Sequence, residues 1–139
     1  MKKQFCVAMM VVAAAVVLLT AGMTMAANHP NLIGTWSGVV NFVGWNSSAN
    51  PQFYYVDFVF SYEIQDQDPV TGDFYGMQNG SYPFTGNVAT NKVVTILEYG
   101  ADGNTRIVTG KVSGKKITGT MQHFLPGQVD TGTFTFYKQ

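Results

Sequence analysis

From Gln52 to Ile64 the chain alternates: Tyr54, Val56, Phe58, Phe60, Tyr62 and Ile64 hold even positions, while the odd positions include Asp57, Ser61 and Glu63. A period of two places successive side chains on opposite faces, so this segment reads as a strand with one core face and one mostly solvated face. No helical periodicity appears after residue 27, and short alternating segments recur between turn signals at close intervals. That combination constrains the chain to an antiparallel all-β fold, a sandwich or a barrel.

The turn signals have specific mechanisms. Asn79-Gly80 and Asp102-Gly103 suit tight hairpins, because both residue types tolerate the positive φ that primed turns require. Asp68-Pro69-Val70-Thr71-Gly72, Ala89-Thr90-Asn91, Ser113-Gly114 and Leu125-Pro126-Gly127 mark further reversals. Strands are therefore expected at about 33–43, 52–64, 73–78, 81–88, 92–99, 105–112, 116–124 and 130–138. The first gathers Gly34, Trp36, Gly38, Val40 and Phe42 on one face, and the last gathers Phe134 and Phe136. Gly44 to Pro51 reads as an exposed loop carrying Trp45.

An apolar-Thr-Gly-x-apolar pattern recurs at 84–88, 108–112 and 117–121, with a looser copy at 130–134. Glycine inside a strand permits sharp bending and makes room for a neighbour's large side chain. Strongly coiled strands joined by hairpins close into a small barrel, and eight strands enclose either packed side chains or one small ligand. The expected fold is a small eight-stranded antiparallel up-and-down β-barrel, whose closure removes the edges of an open sheet.

The N-terminus obeys different rules. Lys2 and Lys3 precede an uncharged, mostly apolar stretch from Phe5 to Met23, and Thr24-Met25-Ala26 offers small residues where a signal peptidase reads. Residues 1–26 are expected to be a cleavable signal peptide and residues 27–139 a single domain; the rival reading is an uncleaved anchor. The one cysteine, Cys6, lies inside the leader, so neither lipid anchoring after the apolar stretch nor a disulfide is expected. The mature segment would be secreted or periplasmic and held by its core. Its slight excess of acidic residues and lack of a basic stripe argue against nucleic acid or an anionic membrane as partner, leaving the export signal as the only membrane connection.

The Leu32-Ile33-Gly34-Thr35-Trp36 opening, followed by repeated Thr-Gly strands in an eight-strand meander, resembles the calycin barrels: lipocalins, fatty-acid-binding proteins and avidins. It looks most like the avidin branch, where Trp36 would match the structural tryptophan at the barrel base. The resemblance implies a barrel that binds a small ligand. Biotin binding does not carry over, because no Trp follows Trp45. The disulfide and C-terminal helix common in lipocalins are also missing.

No catalytic constellation stands out. His29 and His123 are the only histidines and do not make a metal site without cysteines or a spaced carboxylate set. No cofactor is expected. Asp57 and Glu63 share a face but lie about 20 Å apart at strand rise, too far to act on one bond. Glu98 shares a side with Val94 and Ile96; a water-exposed place at the barrel mouth is the expected one. The alternative is a buried acid paired with Arg106 on the next strand, where the two orient a ligand.

The expectation is a non-enzymatic binding module taking a small apolar or amphipathic ligand. Its candidate lining is Tyr54, Phe58, Phe60, Tyr62, Phe84, Glu98, Arg106 and Phe134, although the same aromatics also describe a filled core. The alternative is a secreted protein-interaction module, such as an inhibitor or an adhesion or surface-assembly component. Trp45, Phe53 and Tyr55 would form its contact surface. An outer-membrane barrel is disfavoured by Asp57, Glu63, Lys111 and the short third and fourth strands.

Overall fold

A computed structural model describes residues 28–46, 52–100 and 103–139, and only the backbone of residues 45–46 and 52–56. The expected signal peptide lies outside the described residues. Eight strands follow one another: β1 (Gly34–Asn46), β2 (Gln52–Gln67), β3 (Asp73–Gln78), β4 (Tyr82–Val88), β5 (Val93–Tyr99), β6 (Thr105–Ser113), β7 (Lys116–Leu125) and β8 (Gln128–Lys138). Each pairs antiparallel with the next, and β8 returns to β1 to close the barrel.

Asn79 and Gly80 adopt φ of 49° and 72°, the primed-turn geometry their sequence predicts for the β3–β4 hairpin. Two expected boundaries shift. β1 runs on to Asn46, with Trp45 opposite Phe53, so the expected loop is shorter and Trp45 belongs to a strand. β2 continues past Ile64 through a register irregularity between Ile64 and Asp66. Polar composition led the reading astray at Gly44–Asn46, because a two-stranded hairpin tolerates the same residues as a loop.

Alternation puts Val40, Phe42, Phe60, Tyr62, Ile64, Phe74, Phe84, Val88, Val94, Ile96, Val108, Val112, Ile117, Met121, Phe134 and Phe136 in one buried cluster with Leu32 and Trp36. Each large apolar side chain shielded in this way contributes about 1.5–3 kcal/mol. The strand glycines supply the room: Gly86 lies under the ring of Phe74, and Gly110 and Gly119 face each other across the β6–β7 ladder where no Cβ would fit.

One end is closed by Trp36, whose Nε1 donates to the Leu32 carbonyl at 2.7 Å. Lys138 Nζ sits 5.5 Å from the Trp36 ring centroid, a cation–π arrangement. Gln67 binds the N-terminal segment across this end, accepting from Leu32 N (2.7 Å) and donating to the Pro30 carbonyl (2.8 Å).

The closure leaves one edge open, against the sequence expectation. The β2–β3 ladder begins only at Tyr62, so among the described residues Gln52–Phe60 of β2 is paired on its β1 side alone.

Candidate functional site

At the end of the barrel opposite Trp36 the inward positions change from apolar to polar. Glu98 on β5, Arg106 on β6, His123 on β7 and Asp130 on β8 are successive register partners and form one row across four strands. Continuous antiparallel register from β5 to β8 sets these four residues side by side on the inner face.

Glu98 is fully buried, which corrects the expected water-exposed placement. It stays tolerable because both carboxylate oxygens are occupied: Arg106 Nη1 donates to Oε1 at 2.7 Å and the Tyr62 hydroxyl donates to Oε2 at 2.7 Å. The Arg106 side chain is 16% exposed and reaches toward solvent. Burial pushes the Tyr62 phenol well above its ordinary pKa of 10.0, and the adjacent Glu98 charge and hydrogen bond raise it further, with Arg106 opposing. Gln78, opposite Tyr62 on β3, is buried in the same region. Asp130 is buried and accepts from Gln128 Nε2 at 2.6 Å. The His123 ring lies 6.3 Å from that of Phe42, with Nε2 shielded from solvent.

Beside this row opens a pocket of about 300 Å³ lined by Phe58, Val59, Phe60, Gln78, Asn79, Tyr82 and Arg106. Phe58 sits at its rim, half exposed. Its apolar and amide walls with one guanidinium suit a compact amphipathic guest.

Phe60 belongs to both the pocket wall and the buried cluster. Tyr62, Phe84 and Phe134 lie in that cluster, where Tyr62 meets Phe84 edge-on at 5.2 Å and Phe134 stacks on Phe136 at 4.3 Å. Glu98 lies behind Arg106. The side chains of Tyr54, Trp45, Phe53 and Tyr55 lie outside the described residues. No His/Cys/Asp/Glu group able to hold a metal ion occurs among the described residues.

His123, Asp130, Gln78 and Tyr82 were not singled out with Glu98 and Arg106. Counting strand parity outward from the β6–β7 and β7–β8 turns would have put the first two on the inner face. A wider groove of about 830 Å³ was also not foreseen. It lies outside the barrel over β3–β5, between Tyr75, Thr85, Asn87, Thr95 and Leu97 and the turn at Asp68 and Pro69. On its rim the Asn87 amide, donating at 2.7 Å, holds the Asp73 carboxyl below its ordinary range.

No protein-family model matches this chain, and no curated protein is significantly similar to it.

Proposed function

We propose that this chain is an exported, non-enzymatic binding module whose barrel takes a small amphipathic ligand at its Arg106 end. The observation that carries the reading is the pocket of about 300 Å³ in which Arg106 stands among Phe58, Phe60, Gln78 and Tyr82. A guest would set its apolar part on the two phenylalanines and its polar or anionic group toward the guanidinium, with the Gln78 amide and Tyr82 hydroxyl as further partners. The Glu98 carboxylate aims that guanidinium, which lowers the cost of ordering it on binding. Up-and-down closure of eight strands is the architecture with which calycin barrels hold small ligands, and it supports the same reading.

Titration with 8-anilinonaphthalene-1-sulfonate, a small amphipathic anion, tests it. Saturable fluorescence at one site per chain is expected, weakened about tenfold or more by Arg106→Ala and by Phe58→Ala, and unchanged by Tyr75→Ala in the outer groove. No binding, or binding insensitive to both mouth variants, would reject the proposal.

A second reading, a protein-interaction module, is favoured by one separate observation: the open edge of β2.

A further inference from the structure

The register irregularity in β2 turns one carboxylate out of line. Upstream of it Phe60, Tyr62 and Ile64 point inward from even positions. Ile64 pairs with Gly76, but Asp66 pairs with Tyr75 and Gln67 with Phe74, so Gln65 is an extra residue, a bulge. Parity inverts across such an insertion, which re-aims the side chains beyond it. Gln67 thereby turns inward, where it holds the N-terminal segment. Asp66 turns outward beside Tyr75, its Oδ2 3.5 Å from the Tyr75 hydroxyl. Without the bulge the even-numbered Asp66 would point into the barrel.

Outward residues of β3–β5 form two register rows next to it: Asp73, Asn87 and Thr95 in one, Tyr75, Thr85 and Leu97 in the other. The groove of about 830 Å³ lies over these rows, a volume in the range of small-molecule clefts. Its chemistry changes from side to side. Asp66, Asp68 and Asp73 stand toward the end of β2 and its turn, the half-exposed Tyr75 ring comes next, and Leu97 lies two strands further on.

The acids are held apart by separate partners. Asp68 Oδ1 accepts from the Val70 N–H at 2.7 Å, Asp73 Oδ1 from the Asn87 amide at 2.7 Å and Asp66 Oδ1 from the Gln67 N–H at 2.9 Å. They do not converge as a metal site, so their charge is spread along the groove. No Lys, Arg or His is among the described residues that line it.

We propose that this outer groove binds a small amphipathic organic cation, an amine whose ammonium group sits among Asp66, Asp68 and Asp73 and whose apolar body crosses the Tyr75 ring toward Leu97. Charge complementarity sets the sign of the guest, since three carboxylates face the groove with no cationic side chain to neutralise them. Tyr75 and Leu97 favour an apolar body over a bare ion, and the Tyr75 ring face attracts a cation in its own right. The site is separate from the Arg106 pocket, which suits the opposite charge, and does not rest on that reading. Its exposed, screened charges make it weak and exchangeable.

Three probes that share one apolar body test it: 4-phenylbutylammonium, 4-phenylbutanol and 4-phenylbutyrate. Amide chemical-shift mapping at low salt is expected to show saturable shifts at Tyr75, Thr85 and Leu97 with the ammonium alone, fading as salt is added. Asp66→Asn with Asp73→Asn, which keeps the shape of both side chains, should weaken binding about tenfold or more. Thr85→Lys, a cation at an exposed groove position, should do the same, and Arg106→Ala should leave binding unchanged. No saturable shift at these amides overturns the proposal. So do equal shifts with the alcohol or the carboxylate, which would mean that charge does not select the guest. Affinity that survives both groove variants, or that is lost in Arg106→Ala, would place the cation elsewhere and overturns it too.

Discussion

Glu98 and Arg106 face each other across the β5–β6 ladder, and their charged groups meet at 2.7 Å with Glu98 wholly shielded from solvent. A buried pair of this kind is held by geometry more than by net energy, since desolvating two charges offsets most of their attraction. Its place beside a pocket, at the end where the inward positions turn polar, connects the packing of the barrel to its proposed use.

The pair should respond asymmetrically to mutation. Arg106→Ala leaves a buried carboxylate held by Tyr62 alone and is expected to lower stability by about 3 kcal/mol, while Glu98→Leu, Arg106→Met and Tyr62→Phe together, which also remove the buried hydroxyl that donates to Glu98, should be close to neutral. Urea unfolding of the two variants checks both values, and equal losses would mean the charges are not coupled.

Tyr62 gives the fold an alkaline limit. Its folded pKa is raised above the unfolded value near 10, so the folded state favours the protonated phenol. That contribution is fully present below pH 10 and is lost as pH rises from there toward the folded pKa. Tyr62→Phe should cost about 1–2 kcal/mol at neutral pH through the lost donor to Glu98, and should flatten the decline above pH 10. Stability profiles of the two proteins between pH 8 and 11 provide the comparison.

Close packing over the strand glycines sets a further expectation. A Cβ at Gly86 would meet the Phe74 ring, and one at Gly119 would meet the Thr109 carbonyl and the Gly110 Cα. Gly86→Ala and Gly119→Ala should each destabilise by about 1–3 kcal/mol. Gly119→Ala should sit at the upper end, because all three of its nearest contacts are backbone atoms, whereas Gly86 meets the Phe74 ring as well as the Thr95 carbonyl. Thermal denaturation of both would show it.

Gln67 ties the N-terminal segment across the Trp36 end through two hydrogen bonds. Gln67→Ala should free residues 30–33, costing about 1–3 kcal/mol locally, and should speed amide exchange at Leu32 while leaving Val108 in the core unaffected.

Much of this was legible in the sequence. The even positions Phe60, Tyr62 and Ile64 of β2 lie in the core as expected while Phe58 of the same run is half exposed, Asn79-Gly80 fixed a hairpin, and the side shared by Val94, Ile96 and Glu98 raised the Arg106 pairing. Depth was not legible. Period two tells which face a residue takes, but how far it lies from the rim depends on strand stagger, which emerges only when all eight strands close. For that reason Glu98 was expected at a wet mouth although it lies beneath Arg106. The His123–Asp130 pairing depends on the same stagger. The open edge of β2 was hidden for a related reason: it follows from the mismatch between long β1 and β2 and short β3, which no single segment displays.

Native mass spectrometry of the protein purified without detergent tests the central claim most directly. The account predicts one small adduct per chain, persisting through gentle desolvation and lost in Arg106→Ala and Phe58→Ala. A clean polypeptide mass with no adduct, from protein that is folded by circular dichroism, would contradict it.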